Sequence, residues 1–218
     1  MRPSIGVIDY GMGNRRSVQK ALEHVGARAT ITSDRAALER CDGLVLPGVG
    51  AFPAAMRNLA QRGLPEFIRE RALAGTPLLG ICLGMQVLFE RSAENEMTAG
   101  LGLLPGHVRW LAAGDLRLPH IGWNEVRFER PSPLTAALPP AGCPFYHVHS
   151  LVAVPTDPGH IVGTVEYGER FASMVARDTV LGVQFHPEKS STHGLLMLGS
   201  FLELCMHDVP AATSAART

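Results

Sequence analysis

The chain has 218 residues, enough for one domain with a substantial core, and its 20 Lys and Arg balance its 20 Asp and Glu. Because this balance creates no strong overall field, we expect no nucleic acid and no anionic membrane among its partners. The sequence contains no apolar run long enough to span a bilayer and no cleavable leader pattern at its amino terminus, which predicts a cytoplasmic protein.

Short apolar strands alternate with helical patterns in the first part of the chain. Strands are predicted where a brief apolar run is bounded by turn residues, and helices where apolar residues recur on one side. This alternation predicts an α/β fold, with an open, mostly parallel sheet flanked by helices and a ligand crevice at the carboxyl ends of the strands. The predicted strands cover residues 4–9, 29–32, 43–47 and 78–81, and the predicted helices cover residues 17–25 and 54–70.

The pattern changes to short strands with few helical stretches over residues 102–173, which predicts a β-rich insertion. A last strand then leads into a closing helix, and no linker or internal repeat divides the chain. We therefore expect a single domain over residues 1–208 and a loose tail over residues 209–218. The later strands are predicted at residues 107–110, 125–128, 145–150, 161–164 and 181–185, and the closing helix at residues 193–207.

Cys82 lies between Gly80 and Gly84, where the apolar run 77–81 gives way to a helical pattern over residues 85–89. This pattern predicts a sharp turn that exposes the thiol, with the N–H groups and dipole of the following helix stabilising a thiolate. The two glycines would let backbone and substrate approach closely. The other three cysteines are far away and none forms a CxxC pair, so we expect neither a zinc site nor a disulfide framework. On this segment alone, a reactive thiol and a small core hydrophobe are equally open.

His186 follows the last predicted strand, at the sheet edge where parallel strands place catalytic groups. Pro187 ends the strand, and Glu188 lies two residues beyond the histidine. Since residues i and i+2 of an extended segment point to the same side, Glu188 is expected to accept a hydrogen bond from the His186 ring and fix its tautomer. Each residue alone has a simpler interpretation, as a partly buried histidine or a solvated carboxylate. Together with Cys82 they predict a nucleophile, a base and an orienting group.

A thiolate that attacks a carbonyl creates an oxyanion, which needs preorganised N–H donors. The backbone N–H of Leu83 follows the nucleophile directly and is one candidate donor. The turn at residues 47–50 contains two glycines, which allow a peptide to rotate and present a second N–H only when the site is occupied. An ordinary turn at the end of a strand is the alternative for this second segment.

Two motifs, GICLGMQ at residues 80–86 and QFHPE at residues 184–188, together resemble the class I (triad) glutamine amidotransferases, which have a flavodoxin-like fold. Four further segments are similar to those of one branch of that family, the glutaminase subunits of imidazole glycerol phosphate synthase. They read IDYGMGN at residues 8–14, PGVGAF at 47–52, PHIGWNEV at 119–126 and HPEKSS at 186–191. Together the segments span residues from about 5 to 205.

The resemblance implies a reaction and a role for each site residue. Cys82 would attack the side-chain amide of glutamine, and His186, oriented by Glu188, would protonate the departing ammonia and then activate water to hydrolyse the thioester. The resemblance implies no cofactor and no metal. It assigns the oxyanion hole to Val49 and Leu83, and glutamine binding to Gly50, Gln86, His149 and Ser150.

The resemblance also implies a partner, a cyclase subunit with a (β/α)₈ barrel that forms a heterodimer with the glutaminase. The cyclase would use the ammonia to convert N′-phosphoribulosylformimino-AICAR phosphate into imidazole glycerol phosphate and AICAR phosphate, a step of histidine biosynthesis. Because the chain contains no barrel pattern, the cyclase is expected to be a separate polypeptide. The positions that match the cyclase-facing surface are Asn14, Trp123, Asn124, Tyr146 and Lys189.

Two residues depart from the family pattern, and other functions stay open. His147 stands where phenylalanine is usual and Leu151 where tyrosine is usual, which affects local packing rather than the triad. An amidotransferase subunit of anthranilate or aminodeoxychorismate synthesis is the nearest alternative, and the segment 122–124 argues against it. A cysteine hydrolase on a similar sheet is disfavoured by Gln86 and Glu188, and a non-catalytic binding module by the complete triad.

Overall fold

The structure is a computed structural model that describes residues 2–206, so the predicted tail and His207, the last residue of the predicted closing helix, lie outside it. Within this range no helix is long and apolar enough to cross a bilayer. The helices are α1 (Arg15–His24), α2 (Arg35–Glu39), α3 (Phe52–Gln61), α4 (Leu64–Leu73), α5 (Leu83–Gln86) and α6 (Ser191–Met206). The strands are β1 (Ser4–Ile8), β2 (Arg28–Thr32), β3 (Gly43–Gly48), β4 (Leu78–Cys82), β5 (Phe89–Ser92), β6 (Thr98–Ala99), β7 (Leu104–Trp110), β8 (His120–Phe128), β9 (Gly142–His149), β10 (Leu151–Pro155), β11 (Ile161–Tyr167), β12 (Glu169–Arg177) and β13 (Val180–Val183).

The strands join one sheet, whose central section is parallel in the order β2-β1-β3-β4-β13. The predicted α/β fold, with a parallel core flanked by helices, is confirmed. The β-rich segment does not form a separate layer, because β12 pairs antiparallel with β13 and extends the sheet towards β10 and β7. Strands β8, β9 and β11 branch from β12 along a second path.

The central strands are buried on both faces, because side chains alternate between two separate hydrophobic cores. On β3, Val45 packs in the core that contains Leu22 of α1 and Phe201 of α6. Its neighbours Leu44 and Leu46 point into the other core, with α3, α4 and α5. All six residues of β3 and all five of β4 are buried, which explains why these strands read as continuous apolar runs.

Two helices differ from the sequence-based expectation. The predicted helix at residues 54–70 is two helices, α3 and α4, because Gly63 between them adopts a left-handed conformation with φ of 62°. The helix after Cys82 is a single turn, and the apolar residues 87–89 do not continue it. Residues 87–89 are all fully buried, and Phe89 begins β5, which pairs with β7. A short, fully buried apolar run does not distinguish a helix from a strand.

Glycines at the carboxyl ends of β3 and β4 let three backbone segments touch. A β carbon at Gly84 would lie 1.7 Å from the carbonyl oxygen of Leu46, and one at Gly80 would lie 2.6 Å from the carbonyl oxygen of Gly84. A β carbon at Gly48 would lie 2.7 Å from the backbone nitrogen of Gly84. The sequence-based argument expected glycines 80 and 84 to allow close approach of backbone and substrate, and the structure shows the backbone contact. This contact fixes where the turn after Cys82 lies.

We predict that Gly84→Ala lowers the free energy of unfolding by about 3 kcal/mol, because a β carbon has no space against the rigid carbonyl of Leu46. Urea denaturation followed by circular dichroism measures this change. Gly199→Ala is the matched control, since Gly199 lies in α6 and a β carbon there would meet no atom within 4 Å. The control should stabilise the protein by about 0.5–1 kcal/mol. Equal effects of the two substitutions would contradict the packing argument.

Candidate active site

Cys82 is the last residue of β4 and adopts φ of 55° and ψ of −113°, a conformation that residues with a side chain rarely occupy. Leu83, the next residue, begins α5. The strained turn points the thiol out of the sheet, although only 6% of the residue is exposed. Because α5 is a single turn, it supplies less dipole than the predicted longer helix would, so neighbouring side chains dominate the electrostatics of the sulfur.

His186 lies beyond the end of β13 and faces Cys82. Its Nδ1 atom is 2.9 Å from Oε1 of Glu188, and the side chains of both residues are almost completely buried. The intervening segment Pro187–Lys189 is a 3₁₀ turn and not the extended segment on which the sequence argument relied. The turn nevertheless brings the carboxylate of Glu188 within hydrogen-bonding distance of the His186 ring. The backbone N–H of His186 donates to the carbonyl of Tyr146 at 2.9 Å, which ties the turn to β9.

His186 is protonated at neutral pH. Burial lowers the pKa of its ring, but hydrogen bonds to Cys82 and Glu188, together with their charges, outweigh burial and raise the pKa to about 10. Cys82 and His186 line the same cavity, so the imidazolium lies near the sulfur. Nδ1 donates to Glu188, so Nε2 is the ring atom available to the nucleophile. The geometry thus provides a nucleophile, a proton donor and a group that orients the donor.

Asn14 contacts this triad from the start of α1. Its Nδ2 atom lies 3.4 Å from Oε1 of Glu188, the oxygen that also accepts from His186. The other carboxylate oxygen of Glu188 is buried and has no hydrogen-bond partner within residues 2–206. The sequence assigned Asn14 to a partner-facing surface, and the structure shows that it is half-buried and holds the triad carboxylate.

Two buried glutamines lie beneath Cys82. The amide of Gln184 donates to the sulfur, with 3.7 Å between Nε2 and Sγ. The amide of Gln86 donates to Oε1 of Gln184 at 3.0 Å and to the carbonyl of Leu151 at 3.2 Å. Sequence reasoning gave Gln86 a role in glutamine binding but missed Gln184. A polar residue at the end of the apolar strand 181–185 was the signal that could have identified it.

A cavity of about 200 Å³ opens over the sulfur and collects most of the predicted site residues. A larger cavity of about 660 Å³ lies near residues 128–140, but no cysteine or histidine lines it. Gly50, with φ of 103°, forms part of the rim beside Val49, which is 43% exposed. The residues that line the smaller cavity are Val49, Gly50, Cys82, Leu83, Gln86, Val148, His149, Ser150, Leu151, His186 and Lys189.

Exposed aromatic and apolar side chains lie on β8 and β9 near this cavity. Trp123 is 53% exposed and packs edge-on against Tyr146, with 6.1 Å between ring centroids. Lys189, on the cavity rim, places its Nζ atom 5.9 Å from the centroid of Tyr146. Asn124 is half-buried, and its amide donates to the carbonyl of Glu166 at 3.0 Å. Three of the five predicted partner-facing residues therefore form one continuous surface.

Three histidines cluster between β8 and β9, and burial keeps them neutral. Burial lowers the pKa of His147 well below its usual range, lowers that of His149 to about 3 and also lowers that of His120. His147 is fully buried, and its Nε2 atom lies 2.8 Å from the hydroxyl of Ser173. This hydroxyl explains how the fold accommodates a histidine at a position where the resemblance implies phenylalanine. Within residues 2–206 no group of three side chains could hold a metal ion.

The family model of class I glutamine amidotransferases matches residues 6–203. A protein of Moorella thermoacetica is 53% identical over 207 residues, which are 95% of this chain and 97% of that protein. A protein of Methylococcus capsulatus is 50% identical over 209 residues, which are 91% of this chain and 95% of that protein. Both relatives are named imidazole glycerol phosphate synthase subunit HisH. The chain belongs to the class I glutamine amidotransferases.

Solved structures share the fold of this amidotransferase. The structure of PurLQS from Thermotoga maritima matches with a TM-score of 0.74 at 22% identity, over 93% of this chain and 99% of that chain. A crystal structure described as a glutamine amidotransferase matches with a TM-score of 0.72 at 22% identity, over 92% of this chain and 98% of that chain. At such low identity these matches concern the fold alone.

We predict that Glu188→Gln in this amidotransferase lowers the pKa of His186 by about one unit, because the amide keeps a hydrogen bond but removes the negative charge that stabilises the imidazolium. NMR titration of the histidine ring protons measures the shift. Glu169→Gln removes a carboxylate that pairs with Arg109 and should leave the His186 titration unchanged. An unchanged His186 titration in Glu188→Gln would contradict the assigned cause.

We predict that His147→Phe makes stability less dependent on pH. Below about pH 6.5 the unfolded chain binds a proton on His147 that the folded chain does not, so the free energy of unfolding falls by about 1.4 kcal/mol per pH unit for this group. The phenylalanine removes this contribution, but it leaves the Ser173 hydroxyl unpaired at a cost of about 1 kcal/mol near pH 7.

Urea denaturation between pH 7.5 and pH 5 measures the difference between His147→Phe and the unmodified protein. The variant should have the lower free energy of unfolding at pH 7.5, and the difference in free energy of unfolding between the two proteins should become smaller as the pH falls. Ser173→Ala is the control, because it removes the same hydrogen bond but keeps the buried imidazole, and it should keep the pH dependence of the unmodified protein. A constant gap between His147→Phe and the unmodified protein would show that His147 takes up its proton in the folded state.

Proposed function

We propose that this amidotransferase is the glutaminase subunit of an imidazole glycerol phosphate synthase and that Cys82, His186 and Glu188 hydrolyse glutamine. The observation that carries the proposal is that Cys82 and His186 line one cavity while the buried carboxylate of Glu188 contacts the His186 ring at 2.9 Å. The names of relatives that are about half identical over nearly the whole chain support the choice of complex. We also propose that the reaction takes place in the cytoplasm.

In the first step the sulfur of Cys82 forms a bond to the side-chain carbonyl carbon of glutamine. The His186 imidazolium and the Gln184 amide both stabilise negative charge on the sulfur before attack. The carbonyl oxygen becomes an oxyanion, which the backbone N–H of Leu83 meets because this residue directly follows the nucleophile in the strained turn.

In the second step the carbon–nitrogen bond breaks, and His186 donates its proton to the leaving ammonia. Before attack, Cys82 and Glu188 together raise the pKa of His186 and keep the ring charged. Once the sulfur is bonded to carbon it no longer stabilises that charge, so the proton is more readily given to the leaving nitrogen. The ring is then neutral and accepts a proton from water, which attacks the thioester and releases glutamate. Glu188 keeps Nδ1 protonated throughout, so that Nε2 exchanges each proton.

The cavity rim supports roles for the remaining predicted residues. Gly50, Gln86, His149 and Ser150 surround the space above the sulfur and would hold glutamine. The second oxyanion donor would be the N–H of Val49, delivered by rotation of the peptide between Gly48 and Val49. The exposure of Val49 and the positive φ of Gly50 support this proposal, because an exposed segment between glycines could take two orientations, one of which a partner could stabilise.

The exposed surface formed by Trp123, Tyr146 and Lys189 would bind the cyclase subunit in a heterodimer. The exposed tryptophan packed against a tyrosine supports this role, because both residue types are enriched in protein interfaces. Because the cavity opens beside this surface, a docked barrel would receive ammonia before it reached bulk water. Asn14 would act through Glu188, since it is half-buried behind the triad.

We predict that the complex with a separately expressed cyclase and its ribulosyl nucleotide ligand releases glutamate and ammonia from glutamine, and that Cys82→Ala abolishes this release by more than about 10⁴-fold because the nucleophile is lost. Coupled glutamate dehydrogenase measures the product. The Cys82→Ala complex should still form imidazole glycerol phosphate from ammonium chloride. Cys41→Ala, which removes a thiol outside the site, should retain glutamine hydrolysis.

Two exposed tryptophans test whether cyclase binding depends on the proposed partner surface or on any exposed tryptophan. Trp123→Ala should weaken cyclase binding at least about tenfold, whereas Trp110→Ala should leave it unchanged, although the two side chains are equally exposed, at 53% and 51%. Isothermal titration calorimetry measures both affinities.

Glutamine hydrolysis by the Cys82→Ala complex would overturn the mechanism. Stimulation by an anthranilate synthase subunit instead of the cyclase would overturn the choice of complex.

A further inference from the structure

A chain of hydrogen bonds runs from the exposed surface on β8 to the floor of the cavity. The amide of Asn124 lies 3.4 Å from Nε2 of His120, and Nδ1 of His120 lies 3.1 Å from Nε2 of His149. Nδ1 of His149 lies 3.0 Å from the carbonyl oxygen of Leu151. The two rings are buried and neutral, so each carries a single ring proton.

The donor and the acceptor of every hydrogen bond in this series can be assigned, starting from the Leu151 carbonyl at its end. The carbonyl of Leu151 only accepts, so Nδ1 of His149 carries the proton and Nε2 is an acceptor. His120 must then donate from Nδ1, which leaves its Nε2 to accept from the Asn124 amide. One arrangement of protons satisfies all four groups, so the His120 ring has a defined tautomer and orientation.

The last acceptor in this series of hydrogen bonds is the carbonyl oxygen of Leu151, which also accepts a hydrogen bond beneath Cys82. The carbonyl of Leu151 accepts from the Gln86 amide at 3.2 Å as well as from His149. Gln86 in turn holds Gln184, whose amide contacts the sulfur. The His149 ring therefore helps to fix the acceptor to which the two glutamines are aligned.

We propose that His120 is a positioning residue of the glutaminase reaction, which holds the His149 ring and, through the Leu151 carbonyl, the orientation of Gln86 and Gln184 under Cys82. The proposal rests on the function proposed above. It goes beyond that function because His120 touches neither the sulfur nor the cavity: it is absent from the lining, and its contacts with the site pass through His149.

Packing alone is the competing role for His120. Its ring stacks between Tyr167, with 4.1 Å between centroids, and His147, with 5.1 Å between centroids. His120→Phe would keep a flat ring in this stack but remove the donor to His149. His120→Asn would lose the ring but keep an N–H near the position of Nδ1. His120→Leu has the branched shape of asparagine without a donor, so comparing these two variants isolates the hydrogen bond.

The test measures kcat and KM for glutamine hydrolysis in the full complex with the cyclase and its ligand. His120→Leu and His120→Phe should each lower kcat/KM about fivefold, the equivalent of one lost hydrogen bond, and His120→Asn should stay within about twofold of the unmodified complex. The rate of Cys82 alkylation by iodoacetamide, followed by mass spectrometry, should fall in the same order. His107→Asn, a half-buried histidine on β7 outside the chain of bonds, should change neither rate.

The outcomes separate this inference from the proposed function. If the unmodified complex does not hydrolyse glutamine, the proposed function fails. If it does, and His120→Asn is no more active than His120→Leu, the positioning role fails and packing explains the residue. A thermal melt identifies any variant that does not fold, and the comparison of asparagine with leucine still decides the matter if His120→Phe is lost.

Discussion

The backbone of Gly84 lies so close to the carbonyl of Leu46 that no side chain fits between them. This contact joins the ends of β3 and β4 to the short helix α5, and it defines where the chain turns after Cys82. The strained conformation of Cys82 persists because the segments on either side of it cannot move apart without breaking the parallel sheet. The thiol and the N–H of Leu83 keep their relative positions for the same reason.

Neighbouring buried histidines in this protein differ in charge: His186 is protonated, whereas His147 and His149 are neutral. The surroundings of each ring determine its charge. His186 is buried, yet it stays protonated because a carboxylate and a sulfur face its two nitrogens. Burial lowers the pKa of His147 and of His149, and it outweighs their hydrogen bonds to backbone carbonyls, which raise the pKa of both rings. The nearby charge on His186 lowers the pKa of both rings further. The site therefore concentrates its positive charge at the single ring that faces the nucleophile.

Local patterns predicted the central strands well, because a buried parallel strand is a continuous apolar run, and they singled out Cys82 and His186, which line one cavity. The run at residues 87–89 misled the helix assignment, since burial on all sides removes the periodicity that distinguishes helix from strand. The contact of Gln184 with Cys82 and that of Asn14 with Glu188 depend on which strands are neighbours in the sheet. Local sequence does not contain that information.

The hydrogen bond between the backbone of His186 and the carbonyl of Tyr146 joins two parts of the chain with different architectures. His186 follows the parallel core, but its backbone is anchored on β9, within the antiparallel segment. The hydroxyl of Ser190 strengthens this anchor by accepting from the N–H of Tyr146. A chimera that replaced residues 102–173 with the equivalent segment of another amidotransferase would therefore also replace the support of its own catalytic acid. The segment is not an interchangeable module.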